Sequence, residues 1–211
     1  MRIRSDGPDL GGAMAFRAAA FRGGADDRDR FDADAAHLTV EGMGTVAYAR
    51  LLDPRRASYA GLTYDLRPVL ARYAAPWEIG RVALQAGFGP DVARMVLSVV
   101  VDAAREGGAD LLMGCTSMPL QGAPRLGALR RHVGPWSPGR RSGAETVPLG
   151  PAGTRRDLSD LLRLYLSLGA VVSDHAIVDR DLGTVHVCTM LPLADIPTRR
   201  LSALASPVAV G

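Results

Sequence analysis

An apolar run from Trp77 to Leu84 gives way to Gln85-Ala86-Gly87-Phe88-Gly89, and then to Pro90 and a helical pattern. A strand that turns through glycines into a helix presents unpaired backbone N–H groups to an anion. Gly87 and Gly89 carry no Cβ, so a ligand can approach the backbone closely there. Such a turn also forms wherever a strand simply has to enter a helix, so the neighbouring residue types must say what it serves. A dinucleotide site is excluded, because Val92 stands where the third glycine of that motif belongs. A P-loop is excluded for want of Gly-Lys-Ser/Thr. Phosphopantetheine is the anion-bearing ligand that remains. The strand feeding the turn carries Glu78 and Arg81. They form either a proton acceptor with an anion clamp or an ordinary strand ion pair.

The cations are all of one kind. The 211 residues include 25 arginines and no lysine, with a net charge of +3. The guanidinium fork matches phosphate and carboxylate oxygens two at a time. A mildly basic chain suits an acidic partner such as phosphopantetheine, an acidic carrier protein or anionic lipid. Nucleic acid is not expected, since no aromatics are interleaved with the arginines and no base-reading motif is present. His37, His132, His175 and His186 are scattered without ligand spacing, and Cys115 and Cys188 have no second pair. No metal is expected, and the cysteines read as small buried hydrophobes.

These groups need a frame. Helical spacing runs from Leu10 to Phe21, and Gly23 to Asp29 is a polar loop. His37–Glu41 and Thr45–Leu51 read as a hairpin about Gly42-Met43-Gly44, and Ala57–Leu62 as a further strand. Leu66–Tyr73 is a short helix with Pro68 in its first turn. Trp77–Leu84 is a strand. From Pro90, Val92, Met95, Val96, Val99 and Ala103 make one apolar face of a helix that Gly107-Gly108 ends. Asp110–Cys115 is a short buried strand. Residues 116–157 then form an excursion punctuated by six prolines, of a length that is usually functional or disordered. Asp157–Leu168 is helical, and Ala170–Val172 and Thr184–Leu191 are strands. The alternation predicts one mixed α/β domain over residues 1–211. The longest apolar run, Met95–Ala104, is broken by Ser98 and Asp102 and is too short to cross a bilayer. The N-terminal residues have no signal-peptide character, so a cytoplasmic protein is expected.

Several blocks, taken in order, resemble one family. Glu78-Ile79-Gly80-Arg81-Val82 is similar to the Glu-Leu-Gly-Arg stretch of the ornithine N-acyltransferases, which acylate ornithine from acyl carrier protein to begin ornithine-lipid synthesis. Arg17-Ala18-Ala19-Ala20-Phe21 resembles their Arg-x-x-x-Phe, and Phe31-Asp32 with His37-Leu38 follows at the family spacing. Gly114-Cys115-Thr116-Ser117 resembles their Gly-Cys-Ala-Ser. Leu162 to Ala170 and Val178 to Thr184 resemble the C-terminal blocks. The match extends over about residues 14–193. It departs after Gln85, where the family often has His-Pro-x-Tyr-Arg. The related acyl-homoserine-lactone synthases carry a Trp shortly after Arg-x-x-x-Phe, and none occurs here between Phe21 and Val40.

The resemblance implies a GNAT-like domain with a mixed, mostly antiparallel central sheet flanked by helices. It implies transfer of a fatty acyl group, 3-hydroxyacyl in the family, from the phosphopantetheine thioester of acyl carrier protein to an amino-acid α-amine. The amino acid is ornithine or a relative such as glutamine. Acyl-CoA is the alternative donor, acting on another amine, and a non-catalytic acyl- or carrier-binding protein is the alternative class. A lipid product implies peripheral contact with the inner membrane. An α-amine is largely protonated near neutral pH, so attack on a thioester calls for a base, and Glu78 is the candidate. Tyr165, four residues before Gly169, matches the tyrosine of many GNAT enzymes that protonates the leaving thiolate. Core packing is its other reading. Gly87, Gly89, Val82 and Leu84 are assigned to the acyl donor, and Arg17, Phe21, Asp32, Arg81 and Ser117 to the substrate. The acidic carrier is expected to dock on an arginine-rich face that includes Arg130, Arg131, Arg140 or Arg141. Direct attack suffices, with no covalent intermediate on the enzyme.

Overall fold

The computed structural model describes residues 2–5, 10–41, 45–85, 90–120 and 125–205. Strand β1 (Arg2–Ser5) precedes helix α1 (Leu10–Arg22), and β2 (Ala36–Glu41) and β3 (Thr45–Leu52) follow. Next come β4 (Tyr64–Asp65), α2 (Arg67–Arg72), β5 (Pro76–Leu84), α3 (Pro90–Glu106) and β6 (Leu111–Pro119). The chain continues through β7 (Gly139–Arg140), β8 (Thr146–Pro148), α4 (Asp160–Leu168), β9 (Val171–Val172), β10 (His175–Asp179), β11 (Thr184–Pro192) and α5 (Thr198–Ala205).

The main sheet runs β1-β2-β3-β5-β6-β11-β10-β8, with β9 also on β11, and β4 pairs with β7 apart from it. Every pairing between these strands is antiparallel except β5 with β6. Strand periodicity assigns the helices to opposite faces. Ala47, Ala49 and Leu51 of β3 pack with Val96, Leu97, Val100 and Val101 of α3. Tyr48 points the other way, into a cluster with Ala13 of α1 and Ala83 of β5. The buried side chains of α3 recur at the spacing of one helical face, which is why this helix lies on the sheet. Helix α4 starts where Ser159 accepts a hydrogen bond from Leu162 N–H, and ends at Gly169 with φ of 102°.

The β5–β6 pair positions the site. The two strands are in register only from Pro76↔Leu111 to Glu78↔Met113, although they continue to Leu84 and Pro119. Beyond Glu78 they diverge, each keeping its outer neighbour, and a wedge opens inside the sheet. A bulge marks the split. Tyr48 and Arg50 of β3 face Ala83 and Gly80 of β5, so one extra residue is inserted in β5. Arg81 takes the left-handed conformation there, with φ of 51°, which is costly for a residue with a Cβ and is often seen where a side chain must be aimed. Gly114 sits on the other side of the split. A Cβ there would stand 2.1 Å from the carbonyl oxygen of Ile79. Gly114→Ala should therefore force the strands apart at their last contact and cost about 1–3 kcal/mol of stability. A denaturant titration reads this, and an unchanged midpoint would mean that the strands do not need their close approach.

Three expectations change. Ala57–Leu62 is a bend leading into a 3-10 turn at Ala60–Leu62, because its backbone folds over Glu78 and takes no sheet partner. The segment 157–168 is broken before Ser159: a Thr154–Asp157 capping box closes a 3-10 turn at Arg155–Asp157, and α4 starts afresh. The excursion at 116–157 is largely ordered among its described residues. It finishes β6, forms a 3-10 turn at Gly127–His132, and adds β7 and β8. His175–Asp179 is an additional strand that pairs with both β11 and β8.

Candidate active site

The wedge encloses a cavity of about 240 Å³. Ile79, Gly80, Arg81 and Val82 form one side, and Gly114, Cys115, Thr116 and Ser117 the other. Leu161 and Tyr165 of α4 close one end, and Phe21, Tyr59, Arg50 and Glu78 line it as well. The edges of β5 and β6 that face each other past the split have no strand partner, so a ligand laid between them meets backbone donors and acceptors.

Glu78 is 2% exposed and makes no ion pair among the described residues. Ser58 Oγ donates to Oε2 at 2.5 Å and Ala60 N–H to Oε1 at 2.9 Å. Burial pushes its carboxyl above the ordinary glutamate value, while Ser58, Ala60 and the nearby Arg50 pull it back down. Tyr165, on α4, is buried at the end of the same cavity. Burial raises its phenol, so the hydroxyl keeps its proton across the physiological range. Cys115 and Cys188, distant in sequence, are directly opposed on β6 and β11 as free thiols, and burial raises both.

Behind the Arg81 wall lies a network of the three carboxylates of Asp27, Asp29 and Asp32 with four guanidiniums, those of Arg17, Arg50, Arg81 and, on Asp27 at 3.1 Å, Arg22. Arg17 is wholly buried. It holds Asp27 at 2.7 Å and Asp32 through two nitrogens at 2.6 and 3.0 Å. Arg50 reaches Asp29 at 2.6 Å and Asp32 at 2.9 Å. Arg81 reaches Asp27 at 3.0 Å, and its guanidinium lies over the rings of Phe21 and Tyr59. Burial alone would raise Asp32, but Arg17 and Arg50 hold its carboxyl well below the usual range. His37 fixes the far side. Its Nε2 faces the Asp32 carbonyl at 3.1 Å and must carry the proton, so Nδ1 accepts from the Tyr48 hydroxyl at 2.7 Å.

Of the residues singled out from the sequence, Glu78, Arg81, Val82, Phe21, Ser117 and Tyr165 meet at one cavity. Arg17 and Asp32 do not line it; they brace its wall from behind. Arg81 pairs with Asp27 and Asp29 and not with Glu78. Leu84 packs against the core shared with α3. Gly87 and Gly89 lie outside the described residues. The arginines offered for the carrier lie in two places, with Arg140 on β7. Arg130 and Arg131 share a hollow with Arg155, while Arg141 lies in a groove with Arg30, Arg56 and Arg67. Sequence reasoning missed Arg50, Tyr59, Ser58, Asp27 and Asp29. Arg50 alone carried a usable signal, as the one charge inside the apolar stretch Thr45–Leu52. Among the described residues no group of three acidic, histidine or cysteine side chains could hold a metal, and no helix is long and apolar enough to cross a membrane.

No protein-family model and no curated protein sequence matches the chain. Solved structures do. TofI, in an apo form, superposes with a TM-score of 0.59 at 18% identity, over 98% of both chains. MesI, a CoA-dependent acyl-homoserine lactone synthase, gives 0.54 at 15% identity over 99% of this chain and 98% of its own. FeeM, an N-acyl amino acid synthase from uncultured soil microbes, gives 0.51 at 11% identity over 92% and 96%. The mixed sheet split between its central parallel strands, with helices on both faces, is the GNAT-like acyltransferase fold.

Proposed function

We propose that the protein transfers a fatty acyl group from a pantetheine thioester to the α-amine of an amino acid. The observation that carries this reading is Glu78: a buried carboxylate with no ion pair among the described residues, at the closed end of a wedge that Tyr165, its hydroxyl protonated, also lines. The pantetheine arm is extended and contains two amides, so it suits the unpaired edges of β5 and β6. Glu78 takes the proton from the amine as its nitrogen attacks the thioester carbon. When the tetrahedral intermediate collapses, Tyr165 gives its proton to the departing sulfur. Val82 belongs to the donor side, and Phe21, Arg81 and Ser117 to the acceptor and acyl carbonyl.

Acyl carrier protein is the donor we favour, and ornithine or a related amino acid the acceptor, on the strength of the sequence blocks. A second reading is synthesis of an acyl-homoserine lactone from S-adenosylmethionine, whose amino-acid portion offers the same α-amine. The missing Trp counts against it, and the full-length likeness to MesI counts for it. One assay separates the readings. The protein is incubated with acyl-carrier protein or the matching acyl-CoA, and with ornithine, glutamine or S-adenosylmethionine. Mass spectrometry then identifies the acylated product. Acyl-ornithine supports the first reading and acyl-homoserine lactone the second. No product with any pair defeats both readings.

Tyr165→Phe keeps the buried ring and should slow turnover by about 10- to 10³-fold. An unchanged rate, with chemistry rate-limiting, would make Tyr165 a packing residue. For a carrier-bound donor, raising salt should increase KM with little change in kcat, because exposed charges are screened within about 8 Å at physiological ionic strength. Charge reversal at Arg131 and at Arg141 in separate variants identifies which arginine group serves. No salt effect would remove both from carrier docking.

A further inference from the structure

Glu78 is held by the loop between β3 and β4, and that loop has one defined polarity. Gly61 N–H donates to Ser58 Oγ at 2.8 Å, which leaves the Ser58 proton to point at Glu78 Oε2, 2.5 Å away. Ala60 N–H holds the other oxygen at 2.9 Å. A Cβ on Gly61 would lie 3.1 Å from Ser58 Oγ, so a side chain there would crowd this turn. Tyr59, between the two donors, lines the cavity and donates its own hydroxyl to Asp179 at 2.7 Å, tying the loop to β10. The donors to Glu78 therefore come from a turn tied to β10 through Tyr59.

We propose that Ser58 is a positioning residue for Glu78, holding the carboxylate ionised and turned toward the cavity. This rests on the reading of Glu78 as the base. A donor directed at a buried carboxylate favours its charged form, and among the described residues no cation touches Glu78 to do so instead. Taking the hydroxyl away leaves the same burial with one donor fewer, so protonation of Glu78 becomes easier and the base is lost at low pH.

The chain has only four glutamates, so a protein labelled with 13C at the glutamate carboxyl gives a spectrum in which Glu78 is assigned by its absence in Glu78→Gln. In Ser58→Ala the Glu78 titration midpoint should rise by about one unit or more, and the acid limb of kcat/KM should move with it. Ser58→Thr should restore both. Gly61→Ala, which crowds the hydroxyl without removing it, should raise the midpoint as well and serves if Ser58→Ala does not fold. An unmoved midpoint in these variants overturns the proposal, whatever happens to their melting temperatures. A midpoint that rises while the rate profile stays put would support the hold of Ser58 on Glu78 and defeat the reading of Glu78 as base.

Discussion

Glu78→Gln should lower kcat about 10²-fold or more while leaving donor affinity nearly unchanged, because the change removes a proton acceptor and keeps the shape. Raising the pH should partly rescue the variant, since the free amine becomes neutral near its own pKa of about 8. Stability should move differently. The folded-state carboxyl of Glu78 lies above its ordinary value, so its contribution to stability is full at acid pH and is lost as pH rises through that raised value. At neutral pH the buried charge is a cost, and an uncharged amide there should leave the melting temperature close to that of the wild type. A structural glutamate predicts the reverse: a lower melting temperature and no selective alkaline rescue. Wild-type turnover of a well-folded Glu78→Gln from pH 6 to 9 would end the assignment.

Arg17→Met should be the most destabilising of these changes. It removes a fully buried cation and leaves Asp32 to Arg50 alone and Asp27 to Arg22 and Arg81, although these carboxylates are only 15% and 1% exposed. Breaking one side of a buried ionic network costs about 3–5 kcal/mol, more than the matching loss of both partners would. In a chain of this length each kcal/mol lowers the melting temperature by about 2–4 °C. The pH dependence has a sign. Asp32 is depressed in the fold, so its stabilising contribution is present above the ordinary aspartate value near 4 and is lost as pH falls through the folded value. The gap between Arg17→Met and wild type should therefore be widest near neutrality and close in acid. A gap of under 2 °C at pH 7 would show that the network is not held together by Arg17. Arg17→Lys, which keeps the charge and loses the two-nitrogen grip on Asp32, should fall between them.

Both predictions rest on a division that runs through the molecule. The apolar spacing of α3, the pairing of β2 with β3, and the passage from strand β5 to helix α3 were legible in sequence, because each depends on neighbours within a few residues. So were Glu78, Arg81, Phe21 and Tyr165 as groups to watch, since their residue types and the order of the blocks around them mark them out. Tertiary structure alone decided what those groups do to one another. Periodicity cannot say that β5 and β6 part after Glu78, because the split depends on a bulge at Arg81 and on Gly114 meeting Ile79 across 35 residues of chain. Arg17 and Asp32 look like substrate contacts in sequence and become a brace in space, because each finds its countercharge on another element. Ser58 carried no local signal: its hydroxyl matters only because the loop after β3 folds back over Glu78, and that path is set by long-range packing.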